Sequence, residues 1–184
     1  LYSHMHTDQT HGINDLRVFF LKNKKKINIY ADKMTLSYLK KNFSYYFNDG
    51  SGYPAILKAN KLKKNFSLGS SNELLRFKSI KVEHGKIHSI GFIFNNSAYI
   101  SDCNKISKSN IIKLKNLNYF IVDCLRFKSH RSHFSFNEVL SILKKIKPKQ
   151  TILTNLHSDL DYNILLQKAP INVKPAFDGL RLEL

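Results

Sequence analysis

Apolar and polar positions along this chain fall into short stretches that alternate between the two-residue period of strands and the wider period of helices. Ile27-Asn28-Ile29-Tyr30-Ala31 has the alternation of a short strand, and Asp32 is placed to cap a helix over Lys33 to Asn42. Strands are expected over Leu75 to Glu83, Ser89 to Phe94 and Ala98 to Ser101, with Asn95-Asn96 as a tight turn between the last two. A helix is expected over Lys108 to Lys115 and a strand over Tyr119 to Val122. In the stretch Ser135 to Ile146 the side chains of Val139, Leu140, Leu143 and Ile146 share one helical face, Ser135 stands as cap, and Glu138 occupies the capping-box position. A strand over Thr151 to Thr154, a helix from about Asp159 to Gln167 and strands near Val173 and Leu180 complete the pattern. Asn48 to Pro54 has the residues of a flexible loop. Strands alternating with helices imply sheet layers covered by helices, an α/β or α+β class.

Composition narrows the picture. A chain of 184 residues, 42% hydrophobic, is long enough for one domain with a real core, taken as residues 1–184. Apolar runs such as Asn118-Tyr119-Phe120-Ile121-Val122 are of strand length, well below the roughly 20 residues a membrane helix needs, so no membrane partner is expected. Cys103 and Cys124 are the only cysteines and form no Cys-x-x-Cys, which favours free thiols in a reducing cytoplasm. The net charge of +17, from 30 Lys+Arg against 13 Asp+Glu, raises a nucleic-acid reading. Its lysines, however, lie in scattered runs such as Lys24-Lys25-Lys26 and Lys144-Lys145-Ile146-Lys147, which read as solvated surface. Nucleic acid is therefore not the favoured partner, although a positive field helps capture any anionic substrate.

The densest chemistry lies at the start. Ser3-His4-Met5-His6-Thr7-Asp8-Gln9-Thr10-His11-Gly12 holds three histidines and an aspartate. In an extended segment His4, His6 and Asp8 project to one side, about 7 Å apart from one to the next, and a loop there folds them around one ion. Imidazoles with a carboxylate suit zinc, manganese or iron, and a centre with few protein ligands leaves room for a reactive water. A His pair by itself is as readily a satisfied surface or core feature.

Together with Gly12-Ile13-Asn14-Asp15-Leu16-Arg17, this stretch resembles the metallo-β-lactamase superfamily signature His-x-His-x-Asp-His-x-x-Gly, and its Asp-Leu-Arg extension is similar to the branch containing phosphoribosyl 1,2-cyclic phosphate phosphodiesterase. The resemblance continues through Val82-Glu83-His84-Gly85, Ala98-Tyr99-Ile100-Ser101-Asp102, Leu153-Thr154-Asn155-Leu156-His157 and Pro175-Ala176-Phe177-Asp178-Gly179-Leu180. It implies an αββα sandwich. Leu1-Tyr2-Ser3 reads as the tail of a strand, so the chain is expected to lack the N-terminal strands of its relatives. It further implies one or two divalent ions, zinc or manganese: His4, His6 and His84 at the first, Asp102 bridging, Asp8 and His157 at the second. Two residues depart from the pattern. Gln9 stands where the motif has a second-site His, and an amide is a far weaker ligand than imidazole. His11, two residues on, is a substitute or only lines the pocket. Asn155 occupies a position where some relatives carry another His.

The resemblance also makes His133 the proton donor to the leaving group, with His130 as backup and Arg126 or Arg131 gripping phosphate through a guanidinium fork. A His beside a helix start is also an ordinary polar cap. The function implied is a cytoplasmic metal-dependent phosphodiesterase opening a small cyclic phosphate ester of a sugar with a metal-activated water, Asp8 and His133 being catalytic. Its rivals are an RNA-processing nuclease of the same superfamily and a catalytically silent nucleic-acid-binding module. A small phosphate ester is the expected partner, and a homodimer is compatible with the sequence.

Overall fold

The stretch Ile27–Ala31 does form a strand, and its alternation buries Ile29 and Ala31. The structure is a computed structural model that describes residues 1–50, 52–70 and 73–183, arranged as two compact units, Leu1–Lys63 and Lys64–Leu184. The first unit runs α1 (Thr7–Thr10), a 3-10 turn (His11–Asp15), α2 (Leu16–Asn23), β1 (Ile27–Ala31), α3 (Lys33–Asn42), a second 3-10 turn (Ser44–Tyr46) and β2 (Leu57–Lys61). β1 and β2 pair in parallel with Ile27 opposite Leu57. Ile13, Ile29, Leu39, Phe43, Ile56 and Leu57 form the core of this unit. As its position suggested, Asp32 caps α3 by accepting from the Thr35 amide at 2.8 Å, which satisfies one of the amides a helix start leaves unpaired. In the Asn48–Pro54 loop, Gly50 and Tyr53 exchange backbone hydrogen bonds, while Ser51 lies outside the described residues.

The expected extended run from His4 to Asp8 is interrupted. His6 keeps extended backbone, with ψ 155°, but it is the N-cap residue of α1, so Asp8 lies in a helical first turn. There its carboxylate meets the positive end of the helix.

The second unit comprises β3 (Asn65–Ser70), β4 (Glu73–His84), β5 (Ile87–Phe94), β6 (Ser97–Ile100), α4 (Lys108–Lys113), β7 (Tyr119–Asp123), α5 (Phe136–Ile146), β8 (Gln150–Thr154), α6 (Tyr162–Lys168) and β9 (Val173–Pro175). Its seven-stranded sheet has these strands in sequence order, antiparallel from β3 to β6 and parallel from β6 to β9. Asn95 and Asn96 turn β5 into β6 with φ of 42° and 52°, the left-handed pair that a type I′ hairpin turn demands. α5 buries Phe136, Val139, Ile142 and Ile146, while Leu140 and Leu143 pack half-buried against the same core. α6 starts at Tyr162, later than its sequence suggested, because Asp161 and not an earlier residue caps it, accepting from the Ile164 amide at 2.9 Å. No strand forms at Leu180.

This topology selects which residues meet. β4, β6, β7 and β8 point the same way, so His84, the Ser101-Asp102 pair, Asp123 and Asn155 all lie at one edge of the sheet. Loops at the carboxyl ends of strands are where mixed α/β sheets build their sites.

Candidate metal centre

At that edge of the second unit His84, Asp102 and His133 form a cluster. His84 and Asp102 are buried. The Ser132 carbonyl accepts a hydrogen bond from His84 Nδ1 at 2.7 Å, and since a carbonyl only accepts, Nδ1 carries the proton. The neutral ring then presents the Nε2 lone pair, which lies 3.6 Å from Asp102 Oδ2. Two ligand atoms held roughly 2.0–2.1 Å from one tetrahedral ion stand about 3.3 Å apart, so this spacing suits a shared cation. A backbone carbonyl that fixes the tautomer of a histidine is also the usual support of a metal ligand. The donor set therefore fits a divalent ion.

His133 packs its ring against His84 with centroids 4.7 Å apart. Its Nδ1 donates to Asp123 Oδ2 at 2.9 Å and lies 3.8 Å from Asp102 Oδ2. Asp123 is fully buried and accepts three hydrogen bonds: from His133, from the Cys103 amide at 3.0 Å and from Asn155 Nδ2 at 3.0 Å. A His held through Nδ1 by a buried carboxylate has its orientation set, leaving Nε2 for proton transfer. Asp123 is the residue the sequence reading missed; its only signal was a place at a strand end beside Cys124. The two carboxylates also act on their neighbours. Burial first, then Asp102 and Asp123, raise the Tyr99 hydroxyl, and burial with Asp123 pushes the Cys124 thiol to about 12. Cys103 is raised by the same causes. Both cysteines are thus protonated thiols at neutral pH, and both are unpaired with each other.

The motif histidines lie in the first unit. His4 is buried, its Nδ1 is 3.1 Å from the Ser3 hydroxyl, and its ring meets His6 edge-on at 4.6 Å. Asp8 is exposed on α1, where its Oδ2 accepts from Gln9 Nε2 at 3.0 Å. His11 donates from Nδ1 to the Thr7 carbonyl at 3.1 Å, and its ring packs on Phe43.

Around the cluster of the second unit, the loop from Arg126 to His133 is cationic. Arg126 donates from Nη2 to the Ser129 carbonyl, and its buried Nε has no hydrogen-bond partner among the described residues. His130 lies with its ring 5.2 Å from that of His133, and its pKa is lowered by burial and then by the positive charge of His133, Arg126 and Arg131. Arg131 is exposed. His157 is half-exposed, and its Nδ1 meets Asp159 Oδ2 at 3.4 Å, the Asp159 amide and the Ser158 hydroxyl. Asn155 and not His157 is the residue of that segment that touches His133 and Asp123.

Comparison with known proteins agrees with this architecture. A solved structure described as a new diphosphatase from the PhnP family superposes with a TM-score of 0.87 at 27% identity, covering 100% of this chain and 70% of that one. Zinc-bound PqqB from Methylobacterium extorquens superposes with a TM-score of 0.76 at 13% identity, covering 99% of this chain and 71% of that one. A protein of Porphyromonas gingivalis named octanoyltransferase is 24% identical over 185 residues, and the chain spans only 36% of its length while 98% of the chain is matched. The family model described as "Beta-lactamase superfamily domain" matches residues 1–155, and the chain belongs to that family, with the metallo-β-lactamase fold.

Proposed function

We propose that this chain is a metal-dependent phosphodiesterase acting on a small phosphate ester, with a cyclic sugar phosphate as the substrate class that its branch resemblance favours. The observation that carries the reading is the cluster of His84, Asp102 and His133, in which a tautomer-fixed imidazole and a buried carboxylate stand beside a histidine held by Asp123. The likeness to a diphosphatase of the PhnP family supports phosphate chemistry. His84 and Asp102 would hold a divalent cation, zinc or manganese, and the family resemblance assigns His4 and His6 to it as well. Bound there, such an ion lowers the pKa of water and neutralises charge on a phosphoryl oxygen.

The chain's own residues supply the rest. Ser132 keeps His84 in the ligand-ready tautomer. Arg126, His130 and Arg131 line the loop that leads to His133, and a phosphate there relieves the repulsion among positive groups that, after burial, lowers the His130 pKa. His133, oriented by Asp123, delivers a proton to the departing alkoxide, a task suited to imidazole near neutral pH. The net charge of +17 favours a second reading, an RNA-processing nuclease; its mark is a steep loss of activity with rising salt, whereas hydrolysis of a small ester responds far less.

The test uses protein loaded with zinc or manganese, assayed on an alkyl phosphodiester and on a nitrophenyl phosphodiester. His84→Ala should abolish both metal retention and hydrolysis. His133→Ala should keep its metal and lose roughly 100-fold on the alkyl substrate, the size expected for removal of a general acid, with a much smaller loss on the nitrophenyl ester, whose leaving group needs no proton. Absence of hydrolysis by the loaded protein, or equal losses on both esters, would overturn the assignment.

A further inference from the structure

The seven-stranded sheet of the second unit ends in β3. β4 pairs one side of Asn65–Ser70, and no strand pairs the other side among the described residues. An edge strand offers amide and carbonyl groups to any extended chain, and folded proteins guard such edges with charged side chains, proline or a strong bulge. Asn65-Phe66-Ser67-Leu68 carries neither a charge nor a proline. Backbone irregularity begins only at Gly69, where φ is 127°. The stretch from Asn65 to Leu68 is thus an unguarded edge.

Its two faces differ. On one, Ser67 stands opposite Arg76 of β4 and Asn65 opposite Lys78, which in turn stands opposite Ile93 of β5. Arg76 and Lys78 are exposed, and neither forms an ion pair among the described residues. With Asn65, Ser67 and Ile93 they line a groove of about 520 Å³. The short side chains of Asn65 and Ser67 leave both cations room to reach across β3. On the other face Phe66 stacks on Phe77 with centroids 5.1 Å apart, and Leu68 stands opposite Leu75, which is 41% exposed. One face of the edge is cationic and the other apolar.

We infer that the β3 edge takes up an extended peptide segment in which acidic and apolar residues alternate. Added as a further strand, such a segment pairs its backbone with β3 and sends successive side chains to opposite faces. Its carboxylates fall on the face of Arg76 and Lys78. The backbones there are two strand spacings apart, roughly 9–10 Å, a gap that a glutamate and an Arg or Lys side chain close from both sides. Its apolar residues extend the Phe66 and Leu68 face. Each cation gains a partner without giving one up. A nucleic-acid strand satisfies the cations but leaves the backbone edge unused, which is why the edge points to a peptide. Nothing in this inference draws on the metal centre.

The probe is a fluorescein-labelled peptide alternating valine and glutamate, its binding to the whole chain followed by anisotropy. It should bind, and the double variant Arg76→Ala/Lys78→Ala should weaken it about tenfold, the size expected for two partly exposed charge pairs. The reversal Arg76→Glu/Lys78→Glu should shift preference to a peptide alternating valine and lysine. Circular dichroism checks that both variants are folded. The valine–glutamate peptide N-methylated throughout its central residues should not bind, and this arm tests the edge on the unmodified protein. No binding of the first peptide, binding that survives N-methylation, or binding indifferent to both double variants would overturn the inference. So would a single-stranded oligonucleotide that binds more tightly than the peptide with the same loss on Arg76→Ala/Lys78→Ala, because it assigns the cations to a phosphate backbone.

Discussion

Asp123 joins three loops of the candidate site. One carboxylate, shielded from solvent, orients His133, anchors the Cys103 amide next to Asp102 and fixes the Asn155 amide. Removing an acceptor from buried donors costs about 1–3 kcal/mol per group left unsatisfied, less what entering water restores. Asp123→Ala should therefore lower unfolding stability in urea by about 2–3 kcal/mol, whereas Asp123→Asn, which keeps volume and one acceptor oxygen, should lose clearly less. Equal stability of Asp123→Ala and the unmodified protein would show that these bonds contribute little. At this scale the sequence was legible where chemistry is concentrated and silent where it depends on partners. His4, His6, His84 and Asp102 stand out by residue type within their motifs. Asp123 does not, because its function is defined by three donors that come from three different loops. His157 stands out by residue type too, and in the structure its Nδ1 meets Asp159 Oδ2 at 3.4 Å.

Elements with a strong local signal formed as their patterns demanded. The capping box at the start of α5 is present, with the Ser135 amide donating to Glu138 Oε2 at 2.8 Å, and it fixes the chain two residues after His133. What was illegible has physical causes. α2 buries none of its residues, and Val18, Phe19 and Leu21 are largely exposed, so no amphipathic period marks it. β2, Leu-Lys-Ala-Asn-Lys, is a strand mainly because β1 offers it backbone partners. The turn between β4 and β5 joins local geometry to the site. Gly85 has φ of 59°, and a Cβ there would stand 2.9 Å from Ser132 Cβ. Ser132 carries the carbonyl that fixes His84. Gly85→Ala should thus cost about 1–2 kcal/mol from the left-handed backbone alone, and by displacing Ser132 it should also weaken zinc retention. Zinc affinity unchanged in a folded Gly85→Ala protein would show that the loop yields without disturbing His84.

Across the whole molecule, both units bury groups that titrate in alkali, which yields a pH response with a definite sign. The Tyr2 hydroxyl in the first unit and the Cys124 thiol in the second are each pushed up to about 12 by burial, with Asp123 adding to the effect on Cys124. Cys103 and Tyr99 move the same way. In the unfolded chain these groups release their protons near pH 9 for cysteine and pH 10 for tyrosine, while the folded protein keeps them. Between those values and about 12 the folded state binds more protons, so stability is fully present below pH 9 and declines as pH rises. Lysine titration acts in the opposite sense, because deprotonating ammonium groups relieves the self-repulsion of a chain with a charge of +17. The two can be separated. Cys124→Ala leaves the lysines untouched and removes one group whose contribution, integrated from pH 9 to 11, is about 2 kcal/mol. Urea midpoints measured at pH 8 and 11 should fall more steeply for the unmodified protein than for Cys124→Ala. Parallel declines would show that the Cys124 thiol ionises without opposing the fold, and that surface charge governs the alkaline limit.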